Sequence, residues 1–440
     1  MDAFILEKAT TLEMIIRVFR PEPLDEATLD KFYYDNTMPF RMGNPNTSPL
    51  KALFEDCTMP LGINAHLFTG HGGSGKSTEF AKLCQQFKLA GHPAHIINAQ
   101  REMNLNLADC WDIMLFIAYG LCEIAEQNKI DIPSETLQAM FDYIIKDMED
   151  IQTTDRAASV GIDASASASF GLGPLLNLFA SIKSNLQFGS QTRTIIKEKM
   201  ERRATEWLRY VYEIVDFITY KSNGKSPILF FEDLDKIHPY IRAYDIFCYD
   251  TLAKMPFPII YSFPIPAIYD PRFASISSLY STHVLPMINV RYENKNENRG
   301  GIEAIRNIVM LRADSRLFDD AALETMIKQT GGVLRHLFEC IIAASRRARW
   351  RSADKIEMED AQSALSNLRS MLSRRISMAD YDILKNINNN QVYQQHIEDK
   401  YQLLELMHGL IVLEYQNGDR WQDLHPLIAE LLTKQGVIDG

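Results

Sequence analysis

The chain has 440 residues, 46% of them hydrophobic and 23% charged, an ordinary globular balance with room for two to four domains. A formal net charge of −11 excludes a whole-chain grip on nucleic acid, although a local basic face stays possible. Six scattered cysteines, with no CxxC pair and no metal-ligand spacing, read as small core residues of a cytoplasmic, reducing compartment.

The N-terminus has acids early and no basic run before an apolar one, so it does not read as a signal peptide. Residues 1–50 join a short amphipathic helix, Thr11 to Arg20, to the turn-rich RMGNPNTSP at Arg41 to Pro49, and read as a lead-in. Short apolar runs then alternate with helical patterns: Ala65 to Thr69, Ala94 to Asn98, Ile228 to Phe231, Ile259 to Ser262 and Val284 to Val290. That alternation predicts an α/β fold, a parallel five-stranded sheet with helices on both faces. About 130 residues separate the second run from the third, far more than one crossover needs, so an insertion is placed at about 150–190. Its stretch Ala164 to Ile182 carries no charge but is diluted by Ser, Gly, Pro174 and Asn177. It reads as a flexible segment rather than a membrane span. A charged helix is expected over Thr192 to Tyr220.

Four helical pieces follow, Gly301 to Arg312, Asp319 to Gln329, Val333 to Arg349 and Met358 to Leu372, with Gly331-Gly332 breaking the second from the third. After residue 376 come two helical runs and a hairpin, Ile411 to Tyr415 and Arg420 to Leu424 around Gln416-Asn417-Gly418-Asp419, which is the pattern of a winged helix. The expected division is a lead-in at 1–50, a core at 51–295, a helical lid at 296–375 and a winged helix at 376–440.

Between the first apolar run and a helical pattern stands GHGGSGKST, Gly70 to Thr78, which fits G-x-x-x-x-G-K-[ST]. Glycines let successive backbone N–H groups wrap a phosphate, and the following helix offers its unpaired N–H groups and positive dipole end to the same anion. Gly70, Gly72, Gly73, Ser74, Gly75, Lys76, Ser77 and Thr78 form the expected binding set. Lys76 would reach the β and γ phosphates, and the Ser77 hydroxyl would bind Mg²⁺. His71 and the Ser74 side chain are given no chemistry of their own.

PILFFEDLDKI, Pro227 to Ile237, ends an apolar run in Glu232-Asp233, with Asp235 two residues on. Glu232 would hold Mg²⁺, and Asp233 would orient or deprotonate the attacking water. Ser262, at the end of the fourth run, is a candidate for positioning that water, or equally for satisfying a backbone group. Arg335, in the first turn after Gly331-Gly332, has the charge and fork geometry to reach a γ-phosphate.

GHGGSGKST, FFEDLDKI and GGVLRHL fall in the order Walker A, Walker B, sensor 2, and the chain resembles the AAA+ and STAND-like branch of P-loop ATPases. The lid and winged helix resemble those of origin-recognition ATPases, and FFEDLDKIHP resembles the DDLD signature of KAP and other STAND NTPases. Glu232 in first place departs from the usual Asp-Glu or Asp-Asp. The resemblance implies a slow, regulatory ATPase using ATP and Mg²⁺, a switch that is homo-oligomeric when active and acts on a protein effector. Many bacterial members of this shape serve in anti-phage defence. Arg272 and Arg291 are positional candidates for an arginine that completes a neighbour's site. An origin-recognition-like, ATP-dependent DNA-binding protein is the alternative, and a nucleotide-sensing scaffold with little turnover is a third. Residues 376–440 carry four Lys/Arg against ten Asp/Glu, and Asp399 to His408 pairs Asp399 and Glu405 with a single Lys400. DNA readers need cations there, so DNA is disfavoured and a protein contact favoured. No membrane association is expected.

Overall fold

Five parallel strands build the central sheet of the computed structural model, which describes residues 6–44, 47–59, 63–152, 171–187, 198, 201–389 and 397–439. They are β1 (Ala65–Thr69), β2 (Ala94–Asn98), β3 (Ile228–Glu232), β4 (Ile259–Phe263) and β5 (Ser281–Val284), in the order β2-β3-β4-β1-β5. Alternation along each strand sends side chains to opposite faces, and both faces are buried. Phe68, Ile228, Phe230 and Ile260 point to one side and meet Phe80, Leu83, Cys84 and Phe87, the i, i+3, i+4, i+7 stripe of the helix Lys76–Leu89. Leu67, Leu229, Phe231 and Tyr261 point to the other side, which the helix Cys110–Gln127 covers. That helix lies so close that a Cβ on Gly120 would sit 2.7 Å from Ile97 Cδ1. The fold is therefore the α/β P-loop arrangement expected, a five-stranded parallel sheet with helices on both faces.

The fifth strand departs from expectation. It runs over 281–284 rather than 284–290, because Pro286 has no N–H to continue the ladder after Leu285 donates to Thr69 O at 2.8 Å. The apolar run 285–290 leaves the sheet and serves as a clasp. Pro286 O accepts from Arg41, and Asn289 donates its N–H to Phe40 O at 2.9 Å and its side-chain amide to Gln416 O at 2.6 Å. Leu285, Met287, Ile288 and Val290 are buried there.

The described part of the insertion beyond residue 170 is helical rather than loose. Leu172–Gln187 is a helix whose Leu175, Leu178, Phe179 and Ile182 are buried against the helices Cys110–Gln127 and Ser134–Gln152. A stripe at helical spacing, not its missing charge, explains those residues. The rest of that stretch and the start of the charged helix fall in 153–170, 188–197 and 199–200, outside the described residues; the helix observed there is Ala204–Lys221. Among the described residues no helix is long and apolar enough to cross a membrane.

The helices Arg299–Arg312, Asp320–Gln329, Leu334–Trp350 and Met358–Ser373 form the lid. Tyr381–Asn388, Ile397–His408 and the hairpin β6 (Val412–Asn417) and β7 (Asp419–Leu424) form the winged helix, closed by a helix at Pro426–Lys434 that the sequence reading did not anticipate. Residues 6–44 are not a loose lead-in. The helix Leu12–Val18 packs on the lid helix Leu334–Trp350, where Ser345 Oγ donates to Leu12 O at 2.6 Å, and Glu26–Phe32 packs on Lys76–Leu89.

Candidate functional site

The loop after β1 turns on glycines at positive φ. Gly73 has φ +80°, and a Cβ there would stand 2.8 Å from Arg335 Cβ, so only glycine fits this turn against the lid. Gly75, at φ +104°, leads into the helix whose first residues are Lys76 and Ser77. Lys76 Nζ donates to Gly70 O at 2.8 Å and His71 O at 2.9 Å, and pairs with Asp235 Oδ2 at 2.8 Å. Burial alone would push the Asp235 carboxyl up; the Lys76 ammonium outweighs it and holds it below the ordinary 3.8.

Register brings the second half of the site alongside. β2 and β3 align Asn98 with Glu232, and Asn98 Nδ2 donates to Glu232 Oε2 at 3.2 Å. Burial pushes the Glu232 carboxyl above 4.5, with the charges of Asp233 and Asp235 adding to it against hydrogen bonds from Ser77 and Asn98. Its Oε1 is buried and has no hydrogen-bond partner among the described residues. An acceptor without a donor, beside a serine hydroxyl at the start of a phosphate-loop helix, fits a hard cation such as Mg²⁺. Ser77 and Glu232 would hold it, and its chemistry would be to neutralise phosphate charge. At Asp233 the chain turns sharply, with φ +70°, and its Oδ1 pairs with Lys236 at 2.7 Å.

Gly72, Gly73, Gly75, Lys76, Ser77, Thr78, Asp233 and Arg335 all line one cleft of about 280 Å³. Gly70, Ser74 and Glu232 are not among the residues that line it. Ser262 differs from the catalytic expectation. It is 2% exposed, and its Oγ accepts from the N–H of Leu234 at 2.8 Å and of Asp235 at 3.4 Å. Its hydroxyl fixes the turn that carries the acids and does not face the cleft. Arg272 and Arg291 are both engaged within the chain. Arg272 pairs with Asp270 at 2.6 Å, and Arg291 pairs with Asp423 at 2.9 Å.

Several residues of this site were missed in the sequence. The opposite wall of the cleft comes from the N-terminal segment, through Pro21, Pro23, Tyr33, Tyr34, Thr37 and Arg41. Arg41 is 1% exposed and bridges Ser74 O (2.8 Å) and Pro286 O (2.5 Å), clamping the loop from below. Close by, Tyr33 donates to the buried Glu79 at 2.8 Å, and burial pushes the Glu79 carboxyl up against the lowering pull of Arg41. Asp235 stood in the acidic run without a role. Asn98 carried a readable signal, a polar residue ending a buried apolar strand; Arg41, inside a turn-rich stretch, carried none.

The loop is tied to both later modules. Gly73 O accepts from Leu334 N, the first residue of the lid helix, at 3.1 Å. His71 Nε2 accepts from Glu414 N, on the winged-helix hairpin, at 2.8 Å. Tyr415 Oη donates to Gly331 O at 2.7 Å, and His336 of the lid meets His425 of the winged helix at 3.1 Å. The helix Ile397–His408 ends with His408 stacked on His238, ring centroids 5.5 Å apart. That helix is thus docked by its C-terminal end on the segment that follows β3.

No family model matches this chain, and no curated protein matches it. Solved structures do. The Walker-type ATPase PABY2304 of Pyrococcus abyssi is 13% identical over 94% of this chain and 99% of that one, with a TM-score of 0.42. Cdc6p from Pyrobaculum aerophilum is 13% identical over 95% and 98%, with a TM-score of 0.36. The ORC1 protein of Aeropyrum pernix, solved in complex with DNA, is 11% identical over 88% and 92%, also at 0.36. Likenesses this distant add nothing to the sheet order and the loop, on which the P-loop fold stands by itself. Strand order, phosphate loop, helical lid and winged helix together make the α/β P-loop architecture expected from the motifs.

Proposed function

We propose that the chain is an ATP-binding, slowly ATP-hydrolysing switch whose winged helix reads the state of the phosphate loop. The observation that carries this is the double tie of one loop: Gly73 bonded to the lid and His71 to the hairpin. A triphosphate that draws on the loop's N–H groups and on Lys76 shifts the backbone to which both modules are fastened, so nucleotide and module positions are coupled. Lys76 and the loop amides would bind phosphate, Asp233 would handle the attacking water, Arg335 would sense the γ-phosphate, and Ser77 with Glu232 would hold Mg²⁺. The aromatic and proline wall from residues 21–34 would take the base.

Glu232→Gln and Asp233→Asn are each expected to leave ATP binding within about threefold while slowing turnover by about 10²–10⁴-fold, the range of a lost general-base or charge-positioning group. Single-turnover hydrolysis with ATP and Mg²⁺ checks this, and unchanged rates in both variants would remove the strand-end acids from the mechanism. Mass measurement with and without ATP and Mg²⁺ tests assembly. The acidic balance of residues 376–440 supports a protein effector as the partner, and the family resemblance is the ground for a role in anti-phage defence. Salt-sensitive binding of duplex DNA in the presence of ATP would instead favour the origin-recognition-like reading.

Acid should undo the winged-helix contact. Burial lowers His71 to about 3, helped by Lys76 and His408, and lowers His336 to about 4, helped by Arg375 and Arg335. Folded-state values below 6.5 mean that these contacts are fully stabilising above pH 6.5 and weaken as pH falls from there toward 4. Limited proteolysis and hydrogen exchange are expected to show residues 376–440 becoming accessible across that window. Protection unchanged down to pH 4 would contradict the role given to these imidazoles.

A further inference from the structure

At the β1–β5 edge of the sheet, three side chains from separate elements converge. His66 is on β1, four residues before Gly70 and so about 13 Å from the loop at ~3.3 Å per residue. His283 is on the edge strand β5, and Asp56 is on the helix Pro49–Thr58. Pairing of Phe68 with His283 puts both imidazoles on one face of the sheet, their centroids 5.6 Å apart. The candidate ligand atoms of all three residues lie within 4.8 Å of one another.

Ser281 explains part of this, because its Oγ donates to Asp56 Oδ2 at 3.5 Å and also meets His283 Nε2. His283 Nε2 stands 3.5 Å from Asp56 Oδ2 and 3.2 Å from Ser281 Oγ. This leaves His66 unexplained. That ring is 1% exposed, and neither nitrogen has a hydrogen-bond partner among the described residues, although a neutral imidazole carries one donor and one acceptor that burial should pair. A nitrogen lone pair aimed at a second histidine and a carboxylate is what a metal ion satisfies.

We propose that Asp56, His66 and His283 bind one divalent transition-metal ion, Zn²⁺ first, with a water at the fourth position. Imidazole with carboxylate suits Zn²⁺ rather than Mg²⁺ or Ca²⁺. Tetrahedral bonds of about 2.0–2.2 Å hold ligands about 3.3 Å apart, close to the His283–Asp56 separation already present. Asp56, with its side chain 27% exposed, gives the ion a way in. The site would pin the helix Pro49–Thr58 to β5, the strand that continues into the clasp at 285–290.

The test uses the full chain, stripped with a chelator and re-equilibrated with Zn²⁺ alone, without nucleotide. Bound metal is counted by elemental analysis, and affinity is read by competition with a chromophoric chelator. One Zn²⁺ per chain is expected, with affinity at least about tenfold weaker in Asp56→Asn and lost in His66→Gln. Co²⁺ should give the intense visible bands of a four-coordinate site in the wild type and not in Asp56→Asn. Asp56 is partly exposed, so its variant keeps the test valid if His66→Gln fails to fold. Substoichiometric Zn²⁺ in the wild type, or wild-type affinity in Asp56→Asn, would overturn the proposal.

Discussion

Lys76→Ala is expected to weaken ATP binding by about 100-fold or more, as measured by calorimetric titration or equilibrium dialysis. The ammonium sits between the carbonyls of Gly70 and His71 and the carboxylate of Asp235, 7% exposed. Removing one partner of a buried, hydrogen-bonded charge pair costs about 2–5 kcal/mol, and each 1.4 kcal/mol is tenfold in affinity. Part of that loss is structural, because Asp235 is then buried without its cation and its carboxyl rises. The sign follows from its depressed value: the pair stabilises the fold above the ordinary carboxylate range and is lost as pH falls through the folded value. Lys76→Ala/Asp235→Asn separates the two effects, restoring thermal stability while leaving ATP binding weak. Wild-type affinity in the single variant would remove the cradle from the argument altogether.

The parts legible in the sequence are those in which local chemistry and global position coincide. GHGGSGKST can only be useful between a strand and a helix, and it lies there because glycine spacing, lysine and serine are all set by one anion. The lid helices announce themselves by apolar period and by the Gly331-Gly332 break, and Asn417-Gly418 marks the hairpin. The illegible parts depend on partners distant in sequence. Arg41 meets Pro286 across 245 positions, and His71 meets Glu414 across 343. Neither has a local pattern, because the backbone groups they contact have no sequence signature. Composition misled in the uncharged stretch Ala164 to Ile182, where serine, glycine and missing charge suggested a loose segment although Leu175, Leu178, Phe179 and Ile182 share one helical face. It misled again at 284–290, where an apolar run resembled a strand but Pro286 could not join the ladder.

Arg41→Ala is expected to destabilise the P-loop core by about 3–5 kcal/mol, the cost of breaking a buried ionic arrangement from one side. For a core of this size, that lowers the melting transition that ATP raises by on the order of 10 °C. The guanidinium is wholly enclosed. Nη1 and Nη2 go to Pro286 O and Ser74 O, Nε goes to Thr37 Oγ1 at 3.3 Å, and its charge offsets the burial of Glu79. Truncation orphans two carbonyls and leaves Glu79 with Tyr33 and the more distant charge of Lys82. Arg41→Ala/Glu79→Gln should therefore lose less than the sum of its single variants, and the double-mutant cycle measures that coupling. Arg41→Lys should rescue only in part, since a point charge on a flexible stem cannot hold two carbonyls on either side of a planar fork. Nucleotide binding should fall with each loss of the clamp, because the carbonyl of Ser74 belongs to the turn that aims the loop's N–H groups at phosphate. If Arg41→Ala melts with the wild type, residues 6–44 are an ornament on the cleft; if it does not, the phosphate loop is held in shape by a segment that its own motif never mentions.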